Sequence, residues 1–442
     1  MDSVAQKERC FEKRVKFDTI LQTEDYIQYS YLNEIIVLCI YSDLSESFKF
    51  SDDAKQLANH YLSNFSGNGV GTYSKTIGLP FTRKDVTNYI LERDGTLNLE
   101  QDEEVLIENN EWSLLNSILK FFIGAHMNSG YGILIPYPSS PIIQEVVEIC
   151  GFLPVPYYLT EAADHWTIEE EALVKALEGS HCKINCIFLE NPGYPTGHLY
   201  SEKELEIFFR VAKNHGIVLI AIENLQMDVY RKNKFLSSRK ALIQKDEIYK
   251  SVQLMCLFSL ARSPQGDKGM QISYIDSLRM DKLTTTFGTI TFTSAATVHQ
   301  IYLSLFLAPK YVRKYPSFTK FENERHNFIE LLGNLAEITV DFFNLQPYMS
   351  CSQVFAGHCA FPKLLFPSRW ITDENEALDL EENYCCELYA TTGIYVVPGK
   401  VFGENPDSMH FKYTFPLDQI TLHEQLEKIR QFHQKFIQSL IA

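Results

Sequence analysis

The stretch Asn191-Pro192-Gly193-Tyr194-Pro195-Thr196-Gly197-His198-Leu199-Tyr200-Ser201 decides the fold, together with the segment that follows it up to Glu223. Its prolines and glycines mark a loop. Ser201 and Glu204 then make a capping-box pattern, and Leu205, Phe208, Phe209 and Ala212 fall on one face of the helix it opens. Gly216, after Asn214-His215, closes that helix, and Ile217 to Glu223 reads as a buried strand. The loop, helix and strand form one unit of an alternating pattern from about Leu114 to Tyr274. Other strand candidates are Tyr131 to Tyr137, Ile184 to Glu190, Val252 to Leu260 and Met270 to Ile275. Thr167 and Glu170 repeat the capping pattern before a helix ending near Gly179. Such alternation predicts an α/β fold, a mostly parallel sheet with helices on both faces.

Beyond Pro309 the texture changes. Tyr311 to Asn344 is charged and helical in period, short strands are expected around Cys359 to Leu365 and Ile394 to Val397, and a long helix capped by Thr421 and Glu424 ends the chain. This predicts a smaller α+β domain packed by Leu422, Leu426, Ile429, Phe436 and Leu440. The expected division is an N-terminal arm and part of the small domain (1–65), a large domain (66–315) and a C-terminal small domain (316–442). Residues Leu44 to Lys55 read as a connection.

The 442 residues carry 56 acidic against 40 basic side chains, a net charge of -16, which disfavours a nonspecific nucleic-acid binder. The longest apolar run, around Ile35 to Tyr41, is too short to cross a bilayer, so no membrane span is expected. The first residues lack the apolar core of a signal peptide, and a cytoplasmic protein is expected. Ten cysteines without a Cys-x-x-Cys pair, and histidines without metal-site spacing, predict neither a disulfide framework nor a metal. The glycines of Gly67 to Gly71 superficially suggest a nucleotide-binding turn, but no strand precedes them.

From about Tyr31 to Leu440 the chain resembles alanine aminotransferase. The resemblance rests on Ser51 to Lys55, Gly71-Thr72-Tyr73-Ser74, Arg83 to Val86, Arg93-Asp94-Gly95, Ile135 to Pro138, Asn191 to Gly197, Val229-Tyr230, Gly393 to Gly399 and His410-Phe411-Lys412, in that order. It implies the fold-type I aminotransferase fold, usually a two-fold dimer holding pyridoxal phosphate. Tyr73 is then expected to reach the neighbouring subunit.

The resemblance also marks where the chemistry departs. The imine-forming lysine falls at Arg262, and a guanidinium stays protonated and is no usable nucleophile. The phosphate-binding arginine falls at Gln271, and the phosphate cradle at Asn110, Glu111 and Trp112. The aspartate beneath the pyridine nitrogen becomes Ile222, the phenol that bonds the ring oxygen becomes Leu225, and the asparagine of the same contact becomes Tyr194. The substrate-carboxylate arginine becomes Lys412, keeping charge but losing the bidentate fork. Ser140 falls near the aromatic that stacks on the ring. A pocket lined by Ile222, Leu225, Tyr194 and Trp112 is expected to be filled or apolar.

These substitutions predict a catalytically inactive member with no cofactor, acting through protein binding as a scaffold, assembly subunit or regulator, in a homodimer or a heteromer. The alternative is a rewired enzyme or small-molecule sensor in which Lys268, Lys400 or Lys412 takes over the imine.

Overall fold

The computed structural model describes residues 29–46, 50–65, 67–72, 74–95, 105–124, 130–162, 164–230, 233–266, 269–280, 294–367, 374–403, 405 and 408–441. Its centre is a seven-stranded sheet of β1 (Val105–Glu108), β2 (Tyr131–Tyr137), β3 (Leu153–Tyr158), β4 (Lys183–Glu190), β5 (Val218–Ile222), β6 (Leu254–Ser259) and β7 (Ser273–Leu278). The spatial order is β1-β7-β6-β5-β4-β2-β3, parallel from β3 to β6, with β7 antiparallel to both β6 and β1.

The period of two along β5 distributes the core. Leu219 and Ala221 turn to one face, where Leu205, Phe208, Phe209 and Ala212 of the helix Glu202–His215 cover them. Ile220 and Ile222 turn to the other, against Leu114, Leu115 and Ile118 of the helix Glu111–Gly124. Each of the fully buried leucine, isoleucine and phenylalanine side chains among them contributes roughly 1.5–3 kcal/mol. The capping box forms as read, Ser201 Oγ accepting from Glu204 N and the Glu204 carboxylate accepting from Ser201 N, and Gly216 closes the helix at φ 65°.

Four local readings are corrected. The strand expected from Met270 to Ile275 starts at Ser273, because the preceding residues form the return from β6. Strands β1 and β3 were not anticipated: the first has four residues, and the second carries Pro154 and Pro156, which an edge position tolerates. Thr167 does not cap the helix Glu170–Glu178, since its hydroxyl bonds Glu204 Oε1 at 2.6 Å. Thr421 does not cap the terminal helix Gln419–Ile441 either. Asp418 does, accepting from Thr421 N at 2.7 Å and from its hydroxyl at 2.6 Å.

The helices Ser30–Ile40 and Asp52–Leu62 share one core with Thr297–Leu307 and the first turns of Pro316–Asn344. The rest of that long helix, the helix Glu374–Thr392, the terminal helix and short antiparallel strands form the smaller α+β lobe around Phe343, Tyr384, Phe411 and Phe432. A short hairpin, Thr160–Glu161 with Trp166–Thr167, ties this lobe to the sheet. The Glu161 carboxylate accepts from His410 Nε2 at 3.2 Å, Lys363 Nζ at 2.9 Å and Ser352 Oγ at 3.2 Å. His410 and Lys363 together hold that carboxyl below its usual range, against the opposing effect of burial. Among the described residues no helix is long and apolar enough to cross a membrane.

Candidate functional site

The carboxyl ends of the parallel strands meet at one edge, the place where open α/β sheets bind ligands. Here β2 runs on into Ser139-Ser140, β4 ends at Glu190, β5 continues to Asn224, and β6 leads into the 3-10 turn Leu260–Arg262. The Asn191 to Gly197 loop is fixed from both sides. Asn191 Oδ1 accepts from Tyr200 N at 3.1 Å, its amide donates to Leu236 O at 3.0 Å, and Gly197 N donates to Gly193 O at 2.9 Å. Gly193 must be glycine, because a Cβ there would lie 2.1 Å from the His198 ring.

Two residues distant in sequence meet at this edge. Glu111, the first residue of its helix, accepts from Arg262 Nε at 2.5 Å through one oxygen and from Asn224 Nδ2 at 2.5 Å through the other. Asn224 Oδ1 in turn accepts from Ser259 N at 2.8 Å. The Glu111 side chain is 4% exposed and that of Arg262 18%, so the pair stands at the mouth of the sheet edge, shielded on its acidic side. Burial, the largest single influence, works against the Arg262 charge, but the Glu111 carboxylate together with Tyr194 and Glu190 outweighs it and the guanidinium is held above its ordinary value. Next to this pair, Glu190 accepts from Ser140 N at 3.2 Å. Burial first, and the Glu111 charge second, push its carboxyl up to about 8.

Tyr194 accepts a bond from Lys412 Nζ at 3.1 Å, and the ammonium also lies over the Tyr194 and Phe402 rings, at 5.6 and 5.9 Å from their centroids. Tyr194 and Lys412 line a cavity of about 200 Å³ with His358, Cys359, Ile394 and Tyr395.

The remaining marked positions lie apart. Ile222 is buried in the sheet core and Leu225 beside Gly357. Trp112 points outward, 39% exposed, and Gln271 is exposed. Asn110 caps its helix by accepting from Ser113 N at 2.9 Å. The expected filled pocket of Ile222, Leu225, Tyr194 and Trp112 is therefore corrected: of these four, Tyr194 lines the cavity. Lys400 is ion-paired with Glu382. Tyr73 and Lys268 lie outside the described residues. Sequence reasoning missed Asn224 and Glu190, and above all the pairing of Glu111 with Arg262. The available signal was that two altered positions at one site carry opposite charges.

Comparison with known proteins places this arrangement. Residues 34–241 match the model of aminotransferase class I and II. The chain is 30% identical over 417 residues to alanine aminotransferase 1 of Homo sapiens, covering 92% of this chain and 83% of that protein. It is 26% identical over 422 residues to glutamate–glyoxylate aminotransferase 1 of Arabidopsis thaliana, covering 91% of this chain and 85% of that one. Among solved structures, an alanine aminotransferase from Pyrococcus furiosus superposes with a TM-score of 0.69 at 18% identity, covering 94% of this chain and 100% of that chain. A pyridoxal-phosphate-bound C-S lyase from Staphylococcus hominis does so with a TM-score of 0.69 at 14% identity, covering 94% and 93%.

One expectation is overturned by these matches. The substitutions by themselves imply no cofactor, whereas the matching family model and the pyridoxal-phosphate-bound neighbour point to pyridoxal phosphate. The residues present do not fit the covalent chemistry of that group at position 262, because an arginine bonded to Glu111 stands where the resemblance implies an imine-forming amine.

Proposed function

The chain belongs to the alanine aminotransferase family, and from that premise we propose that it performs no transamination and acts through binding. The observation that carries this reading is the Arg262–Glu111 pair. A proton shuttle between a substrate α-carbon and a cofactor needs an amine that can lose its proton, and a guanidinium held in its charged form by a buried carboxylate cannot do so. In this proposal the protein is a cytoplasmic scaffold, assembly subunit or regulator that associates as a homodimer or as a heteromer with another protein.

Initial-rate assays with alanine, 2-oxoglutarate and added pyridoxal phosphate test the catalytic half. Both the native chain and Arg262→Lys are expected at the protein-free rate, because residues acting as one catalytic unit are strongly non-additive. Saturable turnover by the native chain refutes the proposal. Turnover by Arg262→Lys alone shows that the loss sits in one residue. Sedimentation tests the other half: a chain that stays monomeric at high concentration contradicts the homodimer.

A further inference from the structure

Arg262 has five N–H donors, and the protein uses one. Its Nε bonds Glu111, while among the described residues neither terminal nitrogen has a hydrogen-bond partner. The side chain keeps 18% of its surface exposed. The Tyr194 hydroxyl lies within electrostatic reach of the guanidinium and accepts from Lys412 at 3.1 Å, which leaves the phenolic proton to donate. Arg262 and Lys412 thus both act on one hydroxyl at the carboxyl edge of the sheet.

Glu111 offsets one positive charge. Burial first, and the Glu111 charge second, raise the Glu190 carboxyl to about 8, so at neutral pH it is largely protonated and adds little negative charge beside the guanidinium. An arginine whose planar fork is unoccupied grips a carboxylate or a phosphate by two parallel bonds.

We propose that Arg262 is an anion receptor: its terminal guanidinium edge, with the Tyr194 hydroxyl, holds the carboxylate or phosphate group of a small molecule in reversible, non-covalent association. The proposal rests on the reading that position 262 supplies no imine chemistry. It gives the altered position a use as a ligand site, with Glu111 as the internal competitor for the same guanidinium. No bond is made or broken, and no co-reactant is required.

Isothermal titration calorimetry on the full chain at fixed ionic strength tests this, with glutarate and inorganic phosphate as separate probes. Saturable binding of glutarate identifies a carboxylate ligand and saturable binding of phosphate a phosphate-bearing one; binding of neither overturns the proposal. Arg262→Gln is expected to weaken the binding roughly tenfold or more, and Glu111→Gln, which removes the competitor, to tighten it roughly tenfold. Unchanged affinity in either variant overturns it. Should Arg262→Gln fail to fold, Tyr194→Phe is expected to weaken binding severalfold, and an unchanged affinity there counts against the site. Turnover is scored separately, so catalysis by the native chain sinks the functional reading whereas absent binding without catalysis sinks this one.

Discussion

Removing Arg262 leaves the Glu111 carboxylate, 4% exposed, with Asn224 as its remaining donor and Glu190 nearby. Truncating one member of a buried ion pair costs about 3–5 kcal/mol, and the 18% exposure of Arg262 places Arg262→Ala near the lower end, at about 3 kcal/mol. Glu111→Ala strands a guanidinium that water reaches in part, at a cost of about 2 kcal/mol. The double variant removes both charges together, so its cost is expected near 3 kcal/mol rather than the sum, a coupling of about 2 kcal/mol. Urea titrations read by far-ultraviolet circular dichroism and by tryptophan fluorescence provide the cycle, provided the two probes give coincident transitions. Trp112, adjacent to Glu111, reports on the local environment. Costs that add to within about 0.5 kcal/mol would mean that the two residues do not stabilise one another, and the argument for a locked pair would fail.

Other expectations follow from the same geometry. Burial, then the Glu111 charge, raises the Glu190 carboxyl from 4.5 to about 8, so the stability it contributes is present below pH 4.5 and is lost as pH rises through 8. Glu190→Gln should therefore gain on the native chain between pH 5 and 9, by up to about 1.4 kcal/mol per unit, and parallel stability curves would refute this. Gly193→Ala should destabilise by about 1–3 kcal/mol, because its Cβ meets the His198 ring, which also holds the Thr196 hydroxyl at 2.6 Å; a neutral substitution in thermal melts would show that the loop yields. Asp418→Ala should destabilise the chain through the loss of an N-cap, measured by urea titration, and an unchanged midpoint would show that the cap contributes nothing to stability.

Local chemistry made the central unit legible. The capping box at Ser201 and Glu204, the left-handed Gly216 and the alternation along Leu219 to Ile222 are all decided by residues a few positions apart. The same kind of pattern failed at Thr167, whose hydroxyl bonds Glu204, 37 residues away in sequence, and at Thr421, where Asp418 one turn earlier is the cap. β3 was hidden by its prolines, which argue against a central strand and say nothing against an edge. At the site, substitutions could be located through the family resemblance, but their consequences depend on tertiary contacts. Glu111 and Arg262 are separated by 151 residues, and only the fold reveals that one neutralises the other. Trp112 illustrates the reverse error, since a bulky residue beside the site turned out to face solvent. The inference from lost contacts to lost cofactor overreached for the same reason, and the family comparisons correct it.

The central claim, that this chain does not transaminate, is tested most directly in a single turnover. Protein incubated with pyridoxal phosphate and an excess of isotopically labelled alanine, with no acceptor acid, is quenched and assayed for labelled pyruvate by mass spectrometry, which separates the chemical half-reaction from product release. The Arg262–Glu111 pair predicts pyruvate no higher than in a protein-free control. Labelled pyruvate approaching one equivalent per chain would contradict the account.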